Sequence, residues 1–366
     1  MGSEIFLYGY GIVCISMLIY NILYNFYSRS SNQRLEKHAE KLSKRVQVQL
    51  QNGVREGVVA LSHQRYMRRK LSKITQLLAF EHFLEEEADP EETRVYLQEM
   101  RGVFQQLADI YRRRESTQAA YFCYFISHHA KALEAEELRE KIVSYMEKDS
   151  LYCRVHALKA LCAFGDPESV VDALLLMERK QGAELHEKVI VEILLIFQGE
   201  ADLLIKWLWK DMKHFSVRVQ RALLDYIRFQ SGKYGEQMLA IMENETLDKE
   251  LRFAAIRYFG KYPDPRAKET LLFFVRDLDS LKWEFTAISA SSLARYEGTD
   301  VIEALIAAMH SANWYVRYNA AASLEAQGLS YGQLLEVLQG DDRYARDMLA
   351  YRLEVRKMMQ ERRSSG

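Results

Sequence analysis

Proline occurs only four times in 366 residues, and the glycines are scattered singly. Strand-like alternation is scarce too, which argues against a β-rich fold. Leu, Ala, Glu, Lys and Arg dominate instead, and that composition predicts an all-helical protein. Cysteine is also scarce: Cys14, Cys123, Cys153 and Cys162 form no CxxC pair and have no histidine at metal-ligand spacing. This excludes a disulfide framework and a zinc finger, and fits reduced thiols in a cytosolic compartment. Basic excess is missing, with 50 Lys and Arg against 51 Asp and Glu and a formal net charge of −1. A general nucleic-acid binder carries a clear surplus, so no nucleic acid is expected as a partner. The chain has no GxxxxGK[ST], GxGxxG or HExxH motif, which removes the common nucleotide and zinc-protease chemistries.

One long apolar run is present. Ile5 to Ser28 reads IFLYGYGIVCISMLIYNILYNFYS, 24 residues without a charge. As a helix it would extend roughly 36 Å, enough for a bilayer core of about 30 Å. Tyr8, Tyr10, Tyr24 and Tyr27 fall near its two ends, where amphipathic rings favour the headgroup layer. A cleaved signal peptide would need a basic start, a shorter apolar stretch and a small-residue cleavage site, none of which is evident. Residues 1–28 are therefore expected to be a single-pass anchor in the cell membrane.

Glu4 precedes the segment, whereas Arg29, Arg34, Lys37, Lys41, Lys44 and Arg45 follow it. The positive-inside rule places the amino terminus outside and the remainder in the cytoplasm. Residues 29–75 carry twelve basic residues against three acids. That surplus suits contact with anionic lipid, or a solvated helix that only enforces topology. Within the anchor, Gly11, Cys14, Leu18, Asn21 and Asn25 share one helical stripe at steps of 3, 4, 3 and 4. The stripe suggests packing against another membrane helix, from a partner or a second copy; hydration of the asparagines at the interface is the alternative.

Between the anchor and the rest lies a basic juxtamembrane linker, residues 29–90. Leu35, Ala39, Leu42 and Val46 keep a 4-3-4 spacing. A second helix is expected from about Val58 to Glu87. Helical patterning resumes at Glu91, and residues 91–148 read as divergent capping repeats.

Residues 149–366 resemble themselves. LYCRVHALKALCAFGDPESVVDALLLM begins at Leu151, ELRFAAIRYFGKYPDPRAKETLLFFV at Glu250, and WYVRYNAAASLEAQGLSYGQLLEVL at Trp314. Aligning the charged position of each first helix gives Arg154, Lys188, Arg218, Arg252, Glu284, Arg317 and Arg346, at intervals of 34, 30, 34, 32, 33 and 29. That period predicts stacked helical hairpins in an α-solenoid, because one hairpin cannot bury its apolar face alone.

The pattern Val316, Arg317, Ala320, Ala321, Leu324 resembles the HEAT-repeat family, particularly the short bacterial type found in relatives of the phycobilin lyases. Phe164 to Pro167 and Tyr262 to Pro265 resemble its inter-repeat turn. Lys188 and Glu284 depart from the pattern, and HEKVIVEILLIFQG lacks the paired alanines. The resemblance implies that the recurring arginines bond to backbone or acidic groups in neighbouring turns. It also implies that the helices starting near Leu151, Val217, Leu251, Trp283 and Tyr315 line a concave face. Arg218, Arg221, Arg257, Tyr258, Trp283, Trp314, Tyr315 and Tyr318 are then the candidate partner-binding residues, being of the types enriched at binding hot spots. The alternative is that these aromatics fill gaps between helices.

An iron hydroxylase of the same repeat class is built on several His-Glu pairs; here only His186-Glu187 lies in the clear repeats. The adjacent His128 and His129 are expected to diverge on a helix. No catalytic residue, metal or cofactor is therefore expected. The expected function is a non-catalytic, membrane-tethered cytoplasmic scaffold or regulator that binds a protein partner, such as a membrane enzyme or a signalling complex. A HEAT-fold enzyme, lyase-like or DNA-glycosylase-like, acting in the concave groove is the alternative.

Overall fold

A computed structural model describes residues 10, 13–24, 44–50, 59–86, 88–179, 184–277, 282–329 and 331–364, with side chains in the last helix to residue 355. It is all-helical, with no strand among the described residues. The chain divides into two compact units: residues 1–185 with 196–200, and residues 186–195 with 201–366. The boundary falls inside the 149–366 stretch.

Of the expected anchor, residues 13–24 are described, as an exposed helix that includes Cys14, Leu18 and Asn21. Gly11 and Asn25 lie outside the described residues, as does most of 25–58. No described helix is long and apolar enough to cross a membrane.

In the first unit the single helix expected over 58–87 is two, Leu61–Leu71 and Ile74–Glu86. The break follows Ser72, whose hydroxyl donates to the Arg69 carbonyl at 2.9 Å and competes with helix continuation. Helix starts are chemically marked. Asp89, Asp166 and Asp264 each cap a helix whose first residue is proline, the position where a missing N–H costs nothing. Leu151–Phe164 ends on Gly165 in the left-handed region, φ 76°. A Cβ on Gly199 would lie 2.2 Å from the Gly165 carbonyl oxygen, so these two turns touch backbone to backbone. Beside them the Gln198 N–H donates to the Cys162 carbonyl at 2.9 Å.

In the second unit, Glu187–Leu195, Val217–Gln230, Lys249–Lys261, Trp283–Ser292, Trp314–Ala326 and Arg343–Ser364 pack each against the next. The intervening helices Gly235–Glu243, Pro265–Arg276 and Thr299–Ala308 also pack successively. Two layers built from consecutive hairpins are compatible with a helical solenoid.

Two ladders of backbone capping accompany the repeat. Arg154 donates to Lys148 O, Arg252 to Met242 O, Arg317 to Ser311 O and Arg346 to Gly340 O, at 2.6–3.0 Å. Within the second unit, Lys261 caps the carbonyls of Arg228 and Phe229, Arg295 that of Lys261, and Gln327 those of Leu293 and Tyr296. Each such contact satisfies a carbonyl left over at a helix end or turn of the same or the preceding repeat.

Candidate functional site

The eight residues read as partner contacts all lie on one layer of the second unit, but they divide by environment. Tyr258 belongs to the core, at 1% exposure, and its hydroxyl oxygen accepts the Tyr234 N–H at 3.0 Å. The inward position follows from the helix: Ala254, Ala255 and Phe259 bury on the same side. Arg221 is committed to an internal bridge, 2.9 Å from Glu250 and 3.5 Å from Glu187. Arg218 is half-buried at the start of its helix.

The remaining aromatics are brought together. Trp283 and Tyr315, 32 residues apart, stack with centroids 5.6 Å apart at 21°. Trp314 stacks on Tyr318 at 5.0 Å and 17°, and meets Tyr315 edge-on at 5.2 Å. Trp314 and Tyr315 remain 50% and 57% exposed, so the cluster shows aromatic surface to solvent. The guanidinium of Arg352 sits 5.3 Å from the Tyr318 ring and pairs with Glu325 at 2.7 Å, which fixes that end of the cluster. Trp283 and Trp314 begin their helices, where no preceding turn of the same helix covers them.

Along the same helices lies a cleft of about 470 Å³, lined by Arg228, Arg257, Gly260, Lys261, Ile288, Ser291, Ser292, Arg295 and Asn319. Its lining has four cationic side chains and no carboxylate or imidazole. Lys261 and Arg295 are occupied by capping, and Arg228 pairs with Asp225 at 2.8 Å. Arg257 is half-buried and forms no ion pair or hydrogen bond among the described residues. Burial holds its pKa below the usual arginine range; the nearby charges of Arg221 and Arg228 add to this, and those of Asp225 and Glu250 oppose it. A guanidinium so placed favours an incoming anionic group.

One sequence expectation elsewhere changes. His128 and His129 do not diverge. The helix Ser116–His128 ends between them, and both rings reach Glu81. No spacing rule reveals this, because it depends on where the helix stops and on a helix about 45 residues upstream.

No protein-family model matches the chain, and no curated protein matches it.

Proposed function

We propose that this chain is a non-catalytic, membrane-tethered scaffold of HEAT-like repeats that holds a protein partner at the cytoplasmic face. The observation that carries the docking reading is the partly exposed aromatic cluster of Trp283, Tyr315, Trp314 and Tyr318, on the same layer of helices whose cleft Arg257 lines. Tyr, Trp and Arg dominate binding hot spots because each brings large area or a forked donor at low entropic cost. The partner segment that suits this surface presents an apolar side chain to the aromatics and a carboxylate to Arg257. The tether rests on the uncharged run from Ile5 to Ser28 and on the basic residues that follow it. Contact of residues 29–75 with anionic lipid would hold the repeats close to the bilayer.

The enzyme alternative needs acids or histidines converging among the repeat helices of the second unit. The arginine-lined cleft offers neither; a second cleft of about 350 Å³ on the helices Glu187–Leu195 and Val217–Gln230 brings Glu187, Glu192 and Asp225 together, with Arg221 bridging to Glu187 and Arg228 pairing with Asp225.

The reading is tested by mild-detergent pull-down of the full chain, beside Trp314→Ala/Tyr315→Ala and Arg257→Gln variants. Each variant is expected to lose the same specific protein that the parent chain retains. Retention of identical proteins by all three would sink the docking surface. A chain without residues 1–30 should be released from membranes by high salt, which screens the remaining basic contact with anionic lipid; if it still sediments with membranes at high salt, the tether is wrong.

A further inference from the structure

The first unit contains a second set of polar groups that docking leaves unused. The helix Ile74–Glu86 carries Glu81 and Glu85 one turn apart, so both carboxylates project from the same face. The helix Ser116–His128 packs against it and ends there; His129 leaves helical geometry at φ −108°, ψ 19°. That termination swings two sequence-adjacent imidazoles onto one carboxylate.

Glu81 is 3% exposed. Its Oε2 lies 2.8 Å from His129 Nε2, and its Oε1 lies 3.2 Å from His128 Nδ1. Glu85 Oε1 is 3.6 Å from the same Nδ1. The ligand-capable atoms of Glu81, Glu85 and His128 all fall within 4.8 Å of one another. No lysine or arginine pairs with either carboxylate among the described residues; the imidazoles are the partners present.

Two of the three ligand-to-ligand spacings match a coordination sphere. Ligands bound at about 2.0–2.2 Å in tetrahedral geometry stand roughly 3.3–3.6 Å from each other. The Glu81–His128 and Glu85–His128 distances of 3.2 and 3.6 Å lie at the edges of that range, and the Glu81 and Glu85 oxygens lie within 4.8 Å of each other. The His129 ring, holding the far oxygen of Glu81, occupies the place of the outer hydrogen-bond partner that orients a ligating carboxylate.

Charge points the same way. Two carboxylates with only the imidazoles of His128 and His129 as partners would, with both rings neutral, carry an excess of negative charge that a dication would neutralise. The cluster borders a cleft of about 650 Å³ that His128, His129, Tyr124 and His156 line, so a bound ion would keep a coordination position open to solvent or a small ligand. The His156 Nδ1 is buried without a hydrogen-bond partner.

We propose that Glu81, Glu85 and His128 bind one divalent transition-metal cation, with His129 as the positioning residue for Glu81. Two carboxylate oxygens and one imidazole nitrogen suit Zn²⁺, Mn²⁺ or Fe²⁺ over soft thiophilic ions. The site is independent of the docking surface, and either can fail without the other.

The test is calorimetric titration of the full chain, purified in mild detergent and stripped with EDTA, with Zn²⁺ and separately with Mn²⁺. One equivalent of at least one of the two is expected to bind. His128→Ala and Glu85→Gln should each weaken binding at least about tenfold, and His129→Ala by about 10–100-fold. The side chains of Glu85 and His128 are 50% and 41% exposed, so these two variants are expected to fold, which circular dichroism verifies. His186→Ala, in the second unit, should bind like the parent. Absence of a one-equivalent site for both metals overturns the proposal. So does a site that survives the His128 and Glu85 substitutions unchanged, which would be adventitious binding only.

Discussion

Replacing Trp314 and Tyr258 by alanine, one at a time, separates the surface that binds from the surface that folds. Trp314 is half exposed, and its main structural contacts are the stack on Tyr318 and the edge contact with Tyr315. Aromatic pairs contribute about 0.5–1.5 kcal/mol each, so Trp314→Ala should cost about 1–2 kcal/mol of stability. Tyr258 is fully buried and its hydroxyl accepts the Tyr234 N–H. Truncating a buried aromatic costs about 3–5 kcal/mol, and an orphaned N–H adds about 1–3 kcal/mol. Tyr258→Phe should show the second part alone. Urea denaturation of the full chain, followed by circular dichroism, measures all three. Partner binding should rank the other way, with Trp314→Ala weakening it by about 2 kcal/mol, roughly thirtyfold, while the aromatic stack otherwise persists. A Trp314→Ala variant as unstable as Tyr258→Ala would show that the exposed aromatics are packing residues, and the division drawn here would be wrong.

Gly199→Ala forces a methyl group to 2.2 Å from the Gly165 carbonyl and should cost at least about 2 kcal/mol, whereas Gly102→Ala, with nothing within 4 Å, should stabilise by about 0.5–1 kcal/mol. Denaturation midpoints of the two variants check this contrast. His63, buried and hydrogen-bonded to the Tyr96 hydroxyl at 2.8 Å, has its pKa lowered to about 4 by burial and by Arg45. Its neutral form is the folded one, so its contribution is complete above pH 6.5 and is lost as pH falls towards 4, by no more than about 3 kcal/mol. A His63→Gln variant should lack that part of the acid dependence in urea titrations between pH 7 and 4. Arg257→Met removes a half-buried cation that lies near Arg221 and Arg228 but also near the Asp225 and Glu250 carboxylates, and should change stability by no more than about 1 kcal/mol while partner binding falls.

The repeated elements were legible because their signals are local. Asp-Pro pairs mark helix starts at Pro90, Pro167 and Pro265, since the cap and the fixed φ act within one turn. The recurring arginine bonds to carbonyls six or ten residues upstream, and this local geometry repeats with the sequence. What depends on tertiary placement was not legible. Tyr258 and Tyr318 are the same residue type on helices of one layer, yet one is core and the other belongs to the partly exposed aromatic cluster. The long helix drawn over 58–87 breaks after Ser72, where the apolar pattern gives no warning. His128 and His129 meet Glu81 only because a helix ends between them, and helix ends are the least determined part of any periodic pattern.

The division of the aromatic cluster also has a physical origin. A repeat protein must bury small residues where helices cross, as Ala320 and Ala321 do. Bulky side chains at the first positions of a helix escape that constraint, and Trp283 and Trp314 occupy them. Exposed aromatic surface is thus added where it disturbs packing least.

The most direct test of the central claim is photo-crosslinking from position 315 in native membranes, with Tyr315 replaced by benzoylphenylalanine in the full chain. A discrete crosslinked protein, lost when Arg257→Gln is added, is the predicted result. The account is contradicted if position 315 yields no crosslink while the same probe at Phe273, exposed on the other layer of the unit, captures a specific protein.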